Sequence, residues 1–294
     1  MARNGIGIDI GGTAVKVAAV DRVGAVLWAA RSDSYQRPTE AQLIGAIRQA
    51  AGRGAGALER VSPAAVGLCV PGLLDETKSV VRQSVNVPGL NGVRLGELVA
   101  SAFAAAPAGV FVATDAYATA FDLYASHRPA GRMFVLAIGT GVGAAVLDDG
   151  KPLLVDGDSP GHFGQMDVSL EGPPVIGADG GAGSLEGYLS AAAFAARYGP
   201  EPGAWVTRIR AEDPPVRALV RAVRIAHALY RPQHVFLAGG IGLRLARLVP
   251  DLHRAIATDL TNIARPGWTL ACAESDFHAA QGAARLALSN AGAT

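Results

Sequence analysis

Cysteine is nearly missing. The 294-residue chain has only Cys69 and Cys272, far apart and without a Cys-x-x-Cys spacing. Neither a disulfide framework nor a thiolate zinc site is expected, and a reducing cytoplasm suits such a chain. Net charge is equally scarce. Lys plus Arg number 26 against 25 Asp plus Glu, leaving +1, too little to gather nucleic acid or an anionic membrane. No apolar run reaches the ~18 residues that a bilayer span needs, and no apolar region followed by a small-residue cleavage site opens the chain. A soluble cytoplasmic protein with neither nucleic-acid nor membrane partners is expected. A Gly-x-x-x-x-Gly-Lys-Ser/Thr pattern is also missing, which removes the P-loop route to ATP. What remains admissible is one large domain or two moderate ones, each able to bury a real core.

The apolar pattern is that of an α/β protein. Gly5–Ile10, Val15–Val20 and Gly24–Arg31 read as strands between tight Gly or Asp turns, followed by a helix over Thr39–Gly52. A strand at Ala64–Val70, a helix at Leu95–Ala106 and a strand at Gly109–Thr114 complete a first half. A similar order then restarts. Arg132–Ile138, Gly143–Leu147 and Pro152–Val155 read as strands, Ser184–Arg197 and Pro215–Leu229 as helices, His234–Ala238 as a strand and Leu243–Thr258 as a helix. Gly172–Gly183, rich in glycine and proline, reads as a long loop. Two halves of like order suggest duplicated domains facing a cleft: 1–113, and 114–278, with a C-terminal helix near 279–294 returning to the first.

The stretch GIDIGGTAVKVAAVD, residues 7–21, joins two strands through Gly11, Gly12 and Thr13 with Asp9 at the end of the first. Such a turn offers backbone N–H groups and a hydroxyl with no side chain in the way, which suits a phosphate. Asp9 would hold a hydrated Mg²⁺ beside it. AIGTGVGAAVLDDG, residues 137–150, repeats the arrangement with Gly139, Thr140 and Gly141. Either turn alone is weak evidence, and the pair at matching positions carries more. GTGVGA at 139–144 also satisfies a dinucleotide-binding pattern, but strand rather than helix follows it, against that fingerprint. AGGIGLRLARL, residues 238–248, follows a strand and opens a helix. It is a plain helix entry or a nucleotide platform at Gly239 and Gly240.

Together these stretches resemble the ROK (repressor, open reading frame, kinase) family of glucokinase-like sugar kinases, of the actin, hexokinase and heat-shock ATPase superfold. Carrying the resemblance are GIDIGGTAVK, VGLCVPGLLD (66–75), NVPGL (86–90), ATDAYATAF around Asp115, LAIGTGVGAAV, SLEGYLS (184–190) and FLAGGIG (236–242). The resemblance implies two ribonuclease H-like, actin-like ATPase domains around a central cleft, ATP with Mg²⁺ as cofactors, a sugar-like substrate and a homodimer. Asp115 becomes the general base for the acceptor hydroxyl. ATP and its phosphates fall to Asp9, Gly11, Gly12, Thr13, Lys16, Gly139, Thr140, Gly141, Gly239 and Gly240, with Mg²⁺ at Asp9 through water. Substrate falls to Gly72, Asn86, Thr114, Asp115, His162, Gln165 and Glu186. Read without the family, Asp115 at a strand-to-helix junction is a helix N-cap, and His162 is a surface-loop histidine.

Three departures bear on substrate. Where the family has Asn-Asp, Thr114 precedes Asp115. GHFGQ (161–165) stands where the family has Gly-Glu-x-Gly-His, so His162 replaces a carboxylate and Gln165 a histidine that binds sugar or zinc. GADGGAGSLE (177–186) puts Gly177, Asp179 and Ser184 at the positions of zinc-loop cysteines, so no structural zinc is expected. A His that both donates and accepts matches a different hydroxyl pattern from an acceptor-only carboxylate. The expected reaction is therefore ATP-dependent phosphorylation of an altered hexose, an amino sugar or a cyclitol, not tuned to glucose, or else sugar sensing without catalysis. Asp156, Asp158 and His162 as ligands of a hydrolytic metal are a further alternative, although VDGDSPG reads more simply as turns. The remaining histidines, His127, His227, His234, His253 and His278, have no clustered partners in the pattern. Only Met1–Gly5 precede the first strand, leaving no room for the DNA-binding helices of the family's repressors.

Overall fold

The tight Gly and Asp turns fold the first three apolar runs back on one another as β1 (Gly5–Ile10), β2 (Val15–Val20) and β3 (Val26–Arg31), paired antiparallel. The computed structural model describes residues 4–55, 65–103, 109–155, 160–178 and 180–291. β1 is buried at every position, as a central strand covered on both faces must be. β3 lies at the sheet edge and exposes Val26 and Leu27. Helix α1 (Glu40–Ala55) starts at a reciprocal cap in which Thr39 N–H donates to Gln42 Oε1 at 2.8 Å and Gln42 N–H donates to Thr39 Oγ1 at 3.3 Å. β4 (Ala65–Cys69) pairs parallel with β1. A short hairpin, β5 (Leu73–Leu74) and β6 (Val81–Gln83), precedes α2 (Leu95–Ala102). Next, β7 (Val110–Ala113) pairs parallel with β4 and leads into α3 (Asp115–His127). The sheet order is β3-β2-β1-β4-β7.

The order recurs with β8 (Arg132–Ile138), β9 (Val142–Asp148) and β10 (Lys151–Pro152), again antiparallel. Helices α4 (Leu185–Leu189), α5 (Ala191–Tyr198), α6 (Pro202–Arg208) and α7 (Pro214–Tyr230) follow, then β11 (His234–Ala238), α8 (Gly239–Gly242), α9 (Val249–Thr258) and β12 (Thr269–Cys272). β11 pairs parallel with both β8 and β12, giving β10-β9-β8-β11-β12. Two sheets thus share one topology. Helix α10 (His278–Ala291) ends the described chain.

One unit comprises Met1–Leu123 with Phe277–Thr294, the other Tyr124–Asp276. The division falls inside α3 rather than at residue 113, because α10 grips the first turns of that helix. A Cβ at Gly282 would stand 1.8 Å from the Ala118 carbonyl oxygen, and Asp122 binds both His278 and Arg285. Several local expectations shift. The helix expected over Ser184–Arg197 breaks at Ser190, since the Ser184 and Ser190 hydroxyls each cap a separate helix. Leu243–Leu248 is a 3-10 segment, and the α-helix starts at Val249, with Pro250 in its first turn, where the missing N–H costs nothing. The strand expected over Pro152–Val155 shrinks to Lys151–Pro152, and β5, β6, β12 and α6 are additional.

The second unit's core gathers the inner faces of β8, β11, α7 and α9. His227 of α7 is fully buried within it, and neither ring nitrogen has a hydrogen-bond partner among the described residues. Its ring meets the edge of Trp268 with centroids 4.5 Å apart, and His253 stacks on the same indole at 4.3 Å. Far from being isolated, these two histidines share an aromatic cluster. Burial first, then the neighbouring His253, lowers His227 from 6.5 to about 4. The folded state therefore prefers the neutral ring. Its contribution to stability is whole above the unfolded value and is lost as pH falls from 6.5 toward 4, where only the unfolded chain takes the proton. Thermal midpoints followed from neutral pH down to that range will drop, and His227→Phe will flatten the drop; an unchanged slope in the variant would assign the sensitivity elsewhere.

Candidate active site

In the first unit, β-ladder register sets Asp9 opposite Lys16 of β2 and Cys69 of β4. All three sit at the end of the sheet from which the connections after β1, β4 and β7 emerge, the edge where open α/β sheets present ligands. Asp9 is 7% exposed, and a buried carboxylate requires a partner. Lys16 Nζ supplies it at 3.5 Å from Asp9 Oδ2. Between these residues runs the turn Gly11–Ala14. Gly11 N–H donates to Ala14 O at 3.1 Å, the Tyr35 hydroxyl donates to Gly11 O at 2.6 Å, and Tyr35 N–H donates to Thr13 O at 2.9 Å. Among the described residues, the N–H groups of Gly12, Thr13 and Ala14 and the exposed Thr13 hydroxyl have no acceptor. Consecutive free N–H groups make an anion-binding concavity.

At the end of β7, the Thr114 hydroxyl accepts Tyr117 N–H at 3.2 Å. Thr114 is therefore the N-cap of α3, and Asp115 is not. Asp115 occupies the first helical position and accepts Ala116 N–H on Oδ1 at 2.8 Å. Its surface is accessible to water, yet protein atoms surround the carboxyl closely enough to desolvate it. That burial, then the charge of Asp9, lifts its carboxyl to about 6, against the opposing pull of Ala116 N–H and Lys16. The Cys69 thiol, fully buried, is pushed well up by burial and by both Asp9 and Asp115. Its sulfur lies 3.9 Å from the carbonyl oxygens of Thr114 and Ala279. Asp9, Lys16, Cys69 and Asp115 thus share one electrostatic neighbourhood.

Gly72 and Asn86 belong to the same unit, in the connection after β4. Gly72 has φ +115°, and a Cβ there would stand 2.2 Å from Gln83 O, so the turn needs glycine for its own closure. Among the described residues no hydrogen bond joins either residue to Asp9 or Asp115.

In the second unit, the turn Gly139–Gly141 joins β8 to β9. Gly139 N–H donates to Gly141 O, and Gly139 O accepts Ala191 N–H from α5, each at 2.9 Å. Glu186 Oε2 accepts Val142 N–H at 2.8 Å, so this carboxylate braces the turn from α4. Gly239, at φ +77°, opens α8 where a Cβ would stand 2.5 Å from Ile138 O, which brings the Gly239–Gly240 helix entry beside the same turn. Arg244 donates to the carbonyls of Gly240 and Pro202. His162 and Gln165 are both exposed, flanking the buried Phe163 and Gly164. Phe163 packs on Phe134 at 5.1 Å, and a Cβ at Gly164 would meet Val142 O at 2.2 Å. The loop is thereby pressed on β9, and its two polar side chains stay in solvent. Asp156, Asp158 and Asp179 lie outside the described residues.

Asp9 and Asp115 offer hard oxygen donors, and among the described residues no group of three or more His, Cys, Asp or Glu side chains is arranged to hold a metal ion. That donor set fits a Mg²⁺ ion that keeps its waters and takes phosphate oxygens from a nucleotide, the usual habit of this ion, rather than a protein cage. Tyr35 lies outside every motif, Cys69 was given no role within VGLCVPGLLD, and only the folded chain places the two at the site.

Residues 5–290 match the ROK family model. An N-acetyl-D-glucosamine kinase of Escherichia coli is 27% identical over 211 residues, 65% of this chain and 64% of the relative, so the likeness spans under two thirds of that relative's length. A ROK family glucokinase from Streptomyces griseus, solved with glucose and AMPPNP, aligns with TM-score 0.73 and 21% identity over 97% of this chain and 99% of its own. A ROK family transcriptional regulator homologous to the E. coli MLC protein aligns with TM-score 0.71 and 18% identity over 99% and 80%. The fold is the two-domain actin-like ATPase fold. No helix among the described residues is long and apolar enough to cross a membrane.

Because Lys16 holds the Asp115 carboxyl down, Lys16→Met will move the Asp115 titration above its value of about 6. Carbon-detected NMR of the side-chain carboxyl will read the upward shift, and a downward shift or none would separate Lys16 from Asp115.

Proposed function

Since the chain belongs to the ROK family, we propose that it is an ATP-dependent kinase that phosphorylates a hydroxyl of a sugar or sugar-like polyol, with Asp115 as general base. The observation that carries this reading is the division of labour at the start of α3. Thr114 caps the helix and Asp115 stays solvent-accessible with a carboxyl raised to about 6. At neutral pH it is ionised and more basic than an ordinary aspartate, as an acceptor of a hydroxyl proton should be. In the proposed step the acceptor hydroxyl gives its proton to Asp115 while its oxygen bonds the γ-phosphorus. The bond from that phosphorus to the bridging oxygen breaks, and its electron pair leaves with ADP. Positioning and charge stabilisation supply most of the catalysis in such transfers. Here they fall to the free N–H groups of Gly12 and Thr13, the Thr13 hydroxyl and Lys16, with the matching turn Gly139–Gly141 for the remaining phosphates. Mg²⁺ held at Asp9 through water would neutralise phosphate charge when bound. Gly239 and Gly240 serve as the nucleotide platform.

Substrate choice rests on Thr114, His162, Gln165 and Glu186, with Gly72 and Asn86. The Thr114 oxygen is committed as a cap acceptor but still has its proton to donate. Glu186 has one oxygen bound to Val142 N–H. His162 and Gln165 are exposed, and no side-chain hydrogen bond of either is found among the described residues. This set offers more donors than a carboxylate-rich one, which favours an amino sugar whose nitrogen is acylated, and so carries an accepting carbonyl, over glucose. Similarity in fold to a regulator supports a second reading, a sugar sensor without turnover.

Mg²⁺-dependent ADP release from ATP across hexoses, amino sugars and cyclitols will separate the two. Turnover on one class, lowered at least about 10²-fold by Asp115→Asn, is the expected result. With the wild-type protein, kcat/KM should rise through a midpoint near pH 6, following the Asp115 carboxyl. Sugar binding with no turnover on any class would move the assignment to the sensor.

A further inference from the structure

In a closed two-residue hairpin, the carbonyl before the turn accepts the N–H that follows it. The turn Gly11–Ala14 is half open. Gly11 N–H reaches Ala14 O, but Ala14 N–H does not return to Gly11 O, which is taken instead by the Tyr35 hydroxyl at 2.6 Å. Tyr35 also gives its own N–H to Thr13 O at 2.9 Å. The peptide units are trans, so the carbonyl of one residue and the N–H of the next point in opposite directions. Holding Gly11 O and Thr13 O toward Tyr35 therefore aims Gly12 N–H and Ala14 N–H away from it. Both groups lack an acceptor among the described residues.

We propose that Tyr35 is the positioning residue of this turn, holding it open so that its N–H groups meet a nucleotide phosphate. The inference rests on the kinase reading of the site and adds a residue from outside its motifs. Tyr35 is itself anchored. Ser32, 3% exposed, donates its N–H to Val15 O at 2.9 Å and accepts Val15 N–H on Oγ at 3.0 Å. Asp33 accepts from Arg53 at 2.6 Å and from Gln49 at 2.7 Å, tying the segment 32–35 to α1. Burial, then the charge of Asp9, raises the Tyr35 phenol far above its ordinary value, so it remains a donor. No group transfer is involved, because Tyr35 acts through the backbone it holds.

Tyr35→Phe keeps the ring and removes the donated bond. Calorimetric titration of Mg·ADP, Mg·ATP and adenosine into wild-type and variant protein tests it. The loss of one hydrogen bond predicts nucleotide binding weakened about tenfold, adenosine binding unchanged, and a thermal midpoint of the ligand-free variant moved by no more than about 4 °C. Variant ADP affinity within about twofold of wild type, or an equal loss for adenosine, would overturn the assignment while leaving the kinase reading intact. Wild-type protein that binds nucleotide but turns over no sugar would overturn only the kinase reading, and the variant comparison would still decide for Tyr35. Wild-type protein that binds no nucleotide would overturn both.

Discussion

The first unit is built around a contact that leaves no room for side chains. The carbonyl oxygen of Ala280 in α10 lies 1.8 Å from where a Cβ at Gly7 would stand, and that of Ala283 lies 2.0 Å from the corresponding point at Gly67. Backbone therefore rests on backbone between the last helix and the strands β1 and β4, and any larger residue would force the helix off the sheet. The same helix holds α3, through Gly282 against Ala118 and through a buried ionic group. Asp122, 1% exposed, accepts from Arg285 at 2.5 Å and meets His278 Nδ1 at 2.6 Å. Buried charges of this kind are strongly destabilising when one partner is removed. Asp9, one residue before the end of β1, and Asp115, which begins α3, are both positioned by a helix more than a hundred residues further along the chain.

From that placement comes the electrostatics of the site. Two carboxylates and one ammonium share the neighbourhood, and Lys16 is bonded to Asp9 rather than to Asp115. Burial, and then the charge of Asp9, raise the affinity of Asp115 for protons. Local helix chemistry permits this arrangement. Thr114 satisfies the orphan N–H of Tyr117, so the carboxylate next to it is not consumed by capping.

The two glycine turns solve the same problem with different parts. Each gives a carbonyl to a donor from outside the turn. Tyr35 serves Gly11 and Thr13 in the first unit, and Ala191 N–H serves Gly139 in the second. Glu186 adds a brace at Val142. That bond gives Glu186 a structural task beyond the substrate role that its motif implies, since one of its oxygens is committed to the backbone.

Strand and helix order was legible in the residues because alternation, glycine turns and helix entry are local properties. Asp9, the glycines of both turns and Asp115 were legible for the same reason, as backbone freedom and a strand-to-helix junction are written in neighbouring residues. β5 and β12 were not, because Leu73–Leu74 and Thr269–Cys272 are too short to show a period and become strands only through their pairing partners. Ser190 broke an expected helix in two by capping, which the apolar pattern over Ser184–Arg197 conceals. His227 and His278 looked isolated in the sequence, and folding buried one against Trp268 and paired the other with Asp122. By itself the sequence determined the duplicated α/β order, the two glycine turns and the acid at the head of α3. Tertiary structure alone decided that Thr114 caps in place of Asp115, that burial and then Asp9 raise the Asp115 carboxyl, and that Tyr35 opens the first turn. These depend on distances and solvent access between residues far apart in the chain, and such quantities exist only once the chain has folded.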